Sequence, residues 1–143
     1  MKVNTLQRYG LRAMIEIALD KEQHGVFQKN IASRQKISLK YLDHIIRGLK
    51  TAGLIRNKRG RKSGYILTRP ASEITALNIL NAFEADVQIV DCVSPDVECI
   101  LKDICIANSF WGGLNMCIKN YLKSVSLENL IDQKKRLDVK VEE

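Results

Sequence analysis

The stretch from Ser38 to Leu67 constrains the fold of this chain more than any other. Leu42, Ile45, Ile46 and Leu49 recur at helical spacing, while Lys40, Asp43, His44 and Arg47 fall on the opposite face at i, i+3, i+4 and i+7. Residues 39–51 therefore read as a helix with one apolar and one polar stripe. Ser38 stands where an N-cap oxygen accepts a first-turn amide, and Gly53 stands just past the end, where a helix is closed. Two β-prone runs follow, Leu54-Ile55-Arg56-Asn57 and Gly64-Tyr65-Ile66-Leu67, around the tip Lys58-Arg59-Gly60-Arg61-Lys62-Ser63. That pattern is a hairpin. Its four tip cations within five residues repel one another unless a polyanion neutralises them.

Upstream, Leu6, Gly10, Ala13, Met14, Ile17 and Ala18 predict an amphipathic helix over residues 4–20. Gly25 interrupts, Val26-Phe27 predicts a short extended piece, and residues 28–35 predict a short helix with Ile31 and Ala32 inward. Two short helices joined by a tight turn, the second polar on one face, describe a helix-turn-helix, and a basic hairpin directly after it is a wing. The expected fold class is mainly α with a small β-hairpin wing. In such a module the second helix enters the major groove of double-stranded DNA. Candidate DNA-binding residues are then Ser38, Lys40, Tyr41, Asp43, His44 and Arg47 on the helix, with Arg59, Arg61 and Lys62 on the wing, whose arginines suit phosphates or a narrow minor groove. Asp43 stands apart. It repels phosphate, so it either accepts from a cytosine amino group or pairs with Lys40 or Arg47.

Beyond Pro70, Ser72 is placed to cap a fourth helix with Ile74, Leu77, Leu80 and Phe83 inward, and residues 84–91 read as an extended connection. A long helix is expected over residues 107–125, apolar along Trp111, Leu114, Ile118, Tyr121, Leu122 and Val125. It has little domain left to pack against, so it is expected to serve both the winged helix and a second subunit. A homodimer also matches an operator with two palindromic half-sites. Leu127, Leu130 and Ile131 predict a short last helix. The expected divisions are a DNA-binding domain over 1–83, a cysteine loop over 84–106, dimerisation helices over 107–132, and a charged tail over 133–143 without structural signal.

Charge divides the chain in the same way. Residues 1–70 hold 16 Lys/Arg against 4 Asp/Glu, a net of +12, and residues 71–143 hold 7 against 12, a net of −5. A solvated basic surface gives the same balance, but here the cations sit on a helix-turn-helix and its wing. That is the footprint of a nucleic-acid module joined to something else. The second part is a cysteine loop: Cys92, Cys99 and Cys105 are separated by six and then five residues within an acidic segment. Thiolates suit zinc, copper(I) and iron–sulfur clusters. The spacing is not the tight pair of a zinc ribbon, and neither histidine, His24 or His44, is near the loop in sequence. An iron–sulfur cluster is therefore favoured, with a zinc site or an iron-free thiol switch as alternatives. Pro95 prevents a helix between Cys92 and Cys99, leaving a loop that metal binding can order. Cys117, on the apolar face of the long helix, is expected in the core as a small hydrophobe. No Ser/His/Asp grouping, phosphate-cradling glycine loop or Cys-x-x-Cys is present, so catalysis is not expected, and a thiol oxidoreductase whose basic half is incidental is the least favoured alternative. No apolar run approaches a membrane span, and no signal-peptide core follows Met1, so the cytoplasm is the expected location.

With these pieces placed, residues 1–132 resemble the Rrf2 (Rrf-two) family of bacterial winged-helix transcription regulators, in its IscR/NsrR/RirA-like branch. The resemblance rests on Gln-Arg-Tyr-Gly-Leu-Arg-Ala-Met at 7–14 and on Ile-Ser-Leu-Lys-Tyr-Leu-Asp at 37–43. It rests further on the Gly-Leu-Ile and Arg-Gly-Arg-Lys-Ser-Gly-Tyr-Ile-Leu runs of the wing, and on Ile-Thr-Ala-Leu-Asn-Ile-Leu-Asn-Ala at 74–82. The resemblance implies that Cys92, Cys99 and Cys105 ligate a 2Fe–2S or 4Fe–4S cluster in a homodimer whose DNA binding follows cluster state. IscR-like members typically have a histidine three residues after the last cysteine, where this chain has Asn108; some NsrR-like members have an acid where it has Arg8. The fourth ligand is accordingly open among Asn108, Asp91, Glu98, Asp103, a residue of the partner subunit and an exogenous molecule.

Overall fold

The computed structural model describes residues 2–59, 63–84 and 86–142. Along them run α1 (Thr5–Ala18), α2 (Gln28–Gln35), α3 (Leu39–Thr51), β1 (Ile55–Asn57), β2 (Tyr65–Leu67), α4 (Ala76–Asn81), α5 (Ile106–Ser124) and α6 (Leu127–Glu142), with short 3-10 turns at Ala71–Glu73 and Asp91–Val93. Asn4 and Gln7 open α1 with a reciprocal capping box, Gln7 N donating to Asn4 Oδ1 at 2.7 Å and Asn4 N to Gln7 Oε1 at 3.0 Å. Ser38 caps α3 by accepting from Tyr41 N at 3.2 Å, as its position predicts. Gly53 takes φ +74, a left-handed conformation that turns the chain from α3 into the hairpin without steric cost.

The hairpin is antiparallel, with Ile55 opposite Leu67, Arg56 opposite Ile66 and Asn57 opposite Tyr65. The extended piece expected at Val26 forms one further bridge, to Tyr65. Met14 and Ile17 of α1, Ile31 of α2, and Leu42, Ile45 and Leu49 of α3 fill the centre, together with Ile74, Ile79, Leu127 and Ile131. Truncating a side chain of this kind to Ala typically costs about 2–5 kcal/mol. Leu127 and Ile131 belong to α6, so the last helix completes the core of the winged helix by packing on α1.

Three expectations need correction. Ser72 does not cap α4: it lies exposed within the 3-10 turn, and Thr75 is the cap, in a capping box with Asn78. The reason lies at Ile74, whose carbonyl accepts Leu127 N at 2.8 Å while its side chain is buried. That long-range bond within the chain holds residue 74 extended, so the helix starts later. The last helix does not stop at residue 132 but continues to Glu142, through strong helix formers and an i, i+4 pair between Lys134 and Asp138 at 2.8 Å. Finally, Cys117 is exposed in this chain, not in its core.

Candidate nucleic-acid interface and cysteine loop

On α3 the buried stripe Leu42, Ile45, Ile46 and Leu49 fixes the rotation of the helix, and Ser38, Lys40, Asp43, His44 and Arg47 are exposed on the other side. Tyr41 is half-buried, its ring edge-on to Tyr9 at 5.7 Å. Arg12 covers the Tyr9 ring at 4.9 Å and donates to Gln35 Oε1 at 2.8 Å. Gln35 Nε2 in turn donates at 2.6 Å to Glu16, a buried acid that also faces Arg34 at 3.4 Å. Helix α2 is thus seated on α1 by a satisfied polar network and α3 by the edge-on contact of Tyr41 with Tyr9, so the polar stripe of α3 is presented on a fixed support.

Asp43 pairs neither with Lys40 nor with Arg47 among the described ion pairs. Its Oδ1 accepts from Gln28 Nε2 at 2.5 Å. The same amide group donates to Leu39 O at 3.3 Å, and its Oε1 accepts from Tyr65 of β2 at the long limit of 3.5 Å. Gln28 was not singled out by the sequence, because a polar residue opening a short helix has no periodic signature. Lys50 lies 5.1 Å from the Tyr65 ring, so the hairpin and the recognition helix meet here a second time. Arg59 is exposed beside β1. Arg61 and Lys62, the other wing candidates, lie outside the described residues.

Cys92 sits half-buried in the turn Asp91–Val93, Cys99 is exposed on the loop, and half-buried Cys105 is the N-cap of α5. Asn108 links two of them: its backbone N–H donates to Cys105 Sγ at 3.4 Å, and its Nδ2 donates to Cys92 O at 2.8 Å. Asp91, Glu98 and Asp103 are exposed. Among the described residues no three His, Cys, Asp or Glu side chains stand together as a ligand set, so the fold gathers Cys92, Cys105 and Asn108 while Cys99 remains on the outer loop. Neither histidine joins them; His24 faces Glu22 at 3.1 Å and His44 lies on α3.

Helix α5 is anchored on one side only. Ile118 and Leu122 pack on Leu77, Leu80 and Val87, and buried Asn115 accepts from Ile89 N at 3.1 Å. Lys119 pairs with Asp86 at 2.9 Å, and that hydrogen bond holds the Asp86 carboxyl below its ordinary value of 3.8. The adjacent stripe of Ile106, Phe110, Leu114, Cys117 and Tyr121 is exposed. Among the described residues no helix is long and apolar enough to cross a membrane.

The family described as "Rrf2: Iron-dependent Transcriptional regulator" matches residues 3–133. The HTH-type transcriptional regulator IscR of Photorhabdus laumondii is 33% identical over 97% of this chain and 84% of its own length. Among solved structures, CymR, the global cysteine regulator of B. subtilis, aligns with a TM-score of 0.76 at 31% identity, covering 93% of this chain and 98% of CymR. IscR of T. potens aligns with a TM-score of 0.75 at 28% identity, over 94% of this chain and 88% of its own. These relatives are transcription regulators, not enzymes. The expected hairpin and helix-turn-helix are present, and the match spans both them and the helices that follow. The chain belongs to the Rrf2 family of winged-helix, DNA-binding transcription regulators.

Proposed function

We propose that this regulator senses iron supply, redox state or nitric oxide through an iron–sulfur cluster held by Cys92, Cys99 and Cys105. The single observation that carries this reading is the tie made by Asn108, which keeps Cys92 and Cys105 together at the start of α5. Three soft sulfur donors from one segment suit a 2Fe–2S or 4Fe–4S cluster. Negative charge is favoured at a helix N-terminus, and the thiolate is the form that binds iron. Asn108, Asp91, Glu98, Asp103, a residue of the partner subunit or an exogenous molecule completes the set. A bound cluster would supply redox-sensitive chemistry, and Cys99, exposed on the loop, would have to fold in beside Cys92 and Cys105 to hold it. The chain's own part is mechanical: ordering of the loop is passed to α5, whose N-cap is one of the ligands.

In this reading the protein is a cytoplasmic homodimer on a palindromic operator. The exposed stripe Ile106, Phe110, Leu114, Cys117 and Tyr121 of α5 meets its copy in the partner, which also covers Cys117. On each half-site Lys40, Asp43, His44 and Arg47 face base edges and phosphates, Ser38 and Tyr41 set the start of the helix, and Arg59, Arg61 and Lys62 follow the backbone or the minor groove.

One observation favours a second reading. The three thiols are not assembled as a ligand set among the described residues, and exposed Cys99 is open to oxidation, as an iron-free thiol switch or a zinc-stabilised regulator requires. Colour separates the readings. Protein purified without oxygen is brown, with iron and sulfide in comparable amounts, if the cluster reading holds. It is colourless and free of iron if the second reading holds.

A further inference from the structure

We infer that Gln28 is a positioning residue for sequence reading: it holds the Asp43 carboxylate in one orientation and ties it to the wing through Tyr65. The inference rests on the reading above in which Asp43 lies among the DNA-facing residues of α3. An acid on such a face is useful only if it is aimed. Free to rotate, a carboxylate adds repulsion from phosphate at every sequence; fixed, it accepts from an amino group at one position and rejects the rest.

Gln28 supplies that fixation. It is the first residue of α2, it is half-buried, and its Nε2 donates both to Asp43 Oδ1 at 2.5 Å and to Leu39 O at 3.3 Å. The second bond matters because Leu39 opens α3: with both acceptors on the same helix, the amide is registered against the first turn of α3 as well as against the acid. One carboxylate oxygen is thereby engaged inside the protein and Oδ2 is left to a base. Tyr65 OH reaches Gln28 Oε1 at 3.5 Å, and Tyr65 is paired with both Asn57 and Val26. A shift of the hairpin on the minor-groove side is therefore felt at the acid in the major groove. Leu at position 28 has nearly the volume of Gln and none of its hydrogen bonds, which makes it the informative replacement.

The test is selection of binding sites from a random duplex pool with four full-length proteins: wild type, Gln28→Leu, Asp43→Ala and the double variant. Gln28→Leu is expected to relax base preference by roughly three- to tenfold, the worth of one ordinary hydrogen bond, at the same base pair that Asp43→Ala relaxes. Preference at other base pairs and the salt dependence of binding should be unchanged, since no phosphate contact is lost. The double variant should select as Asp43→Ala does, because Gln28 acts only through the acid. Should Gln28→Leu fold poorly, Gln28→Met keeps an unbranched, uncharged side chain of similar length that offers Asp43 no hydrogen, and the same relaxation is expected. A wild-type profile for the Gln28 variants, or an effect that adds to that of Asp43→Ala, overturns the inference. If Asp43→Ala itself selects the wild-type sequence, Asp43 does not read DNA and the inference falls with it. Failure of the wild type to enrich any sequence would instead refute the operator reading.

Discussion

The ring of Phe83 lies against Gly10 so closely that a β-carbon on Gly10 would come within 2.2 Å of it. The same ring would meet a β-carbon on Gly48 of α3 at 2.7 Å. One aromatic side chain from the end of α4 is therefore received by glycines of α1 and α3, and it sets their separation.

Gly10→Ala should lower stability although Ala favours a helix by about 1 kcal/mol over Gly. Overpacking of this kind costs about 1–3 kcal/mol, so a net loss of up to about 2 kcal/mol is expected in urea denaturation. The loss should shrink when Phe83→Ala is added, since the two sites are in contact. Additive losses would mean that Phe83 moves aside freely.

Position 10 also illustrates what periodicity conveys. Its place on the inward stripe of α1 was legible, as were the buried and exposed stripes of α3, its Ser38 cap and the hairpin, because each is a local pattern with a local cause. The partner that demands glycine, Phe83, lies more than seventy residues away and left no local trace. That Thr75 rather than Ser72 caps α4 has the same kind of cause: the bond from Leu127 N to Ile74 O that delays the helix comes from the other end of the chain. On α5 the hydrophobic spacing predicted a single face, whereas the structure divides it. Ile118 and Leu122 turn inward while Phe110, Leu114, Cys117 and Tyr121 turn out, and a helical period alone does not say which of two neighbouring apolar stripes meets the protein's own core. The three cysteines were legible as residues; the bond from Asn108 to Cys92 O, made across the loop, was not.

The pair of Asp86 and Lys119 should make the seating of α5 weakly pH-dependent. Lys119 lowers the folded-state value of the Asp86 carboxyl beneath its ordinary 3.8, so the contribution is fully present above that value and is lost as the pH falls through the lower folded one. The pair is partly exposed, so its worth is well under about 1 kcal/mol and is reduced by salt. Asp86→Asn should therefore be slightly less stable than wild type at neutral pH in low salt. The gap should narrow below about pH 4, measured by denaturation at each pH. A gap that widens on acidification would contradict the pairing.

Arg59→Ala combined with Arg61→Ala should weaken binding across unrelated sequences and make its salt dependence shallower by about two units, as fewer counterions are released. Base preference should change little, because wing contacts position more than they specify. Titration of labelled duplexes at several salt concentrations reads all three. Unchanged affinity and slope would remove the wing from the interface.

Charge on the exposed stripe of α5 should separate the subunits without unfolding them. Leu114→Asp places a carboxylate on a side chain that is 40% exposed in the single chain, outside the contacts of Ile118 and Leu122. Sedimentation should show a monomer with an unchanged circular dichroism spectrum and operator affinity at least tenfold weaker, since one half-site is then read at a time. A stable dimer would place the interface elsewhere.

The most direct test of the sensor is the visible absorption spectrum, with iron and sulfide quantified, of anaerobically purified Cys92→Ala, Cys99→Ala, Cys105→Ala and Cys117→Ala. Each of the three loop variants should lose the chromophore while remaining folded and competent to bind DNA, because no residue from Cys92 to Cys105 belongs to the core and no neighbouring carboxylate or amide replaces an anionic sulfur well on iron. Cys117→Ala should keep its colour. Asn108→Ala, run alongside, reports whether that residue serves the cluster directly or only holds Cys92 beside Cys105. A chromophore that persists in all three loop variants, or fails only in Cys117→Ala, would contradict the assignment of Cys92, Cys99 and Cys105.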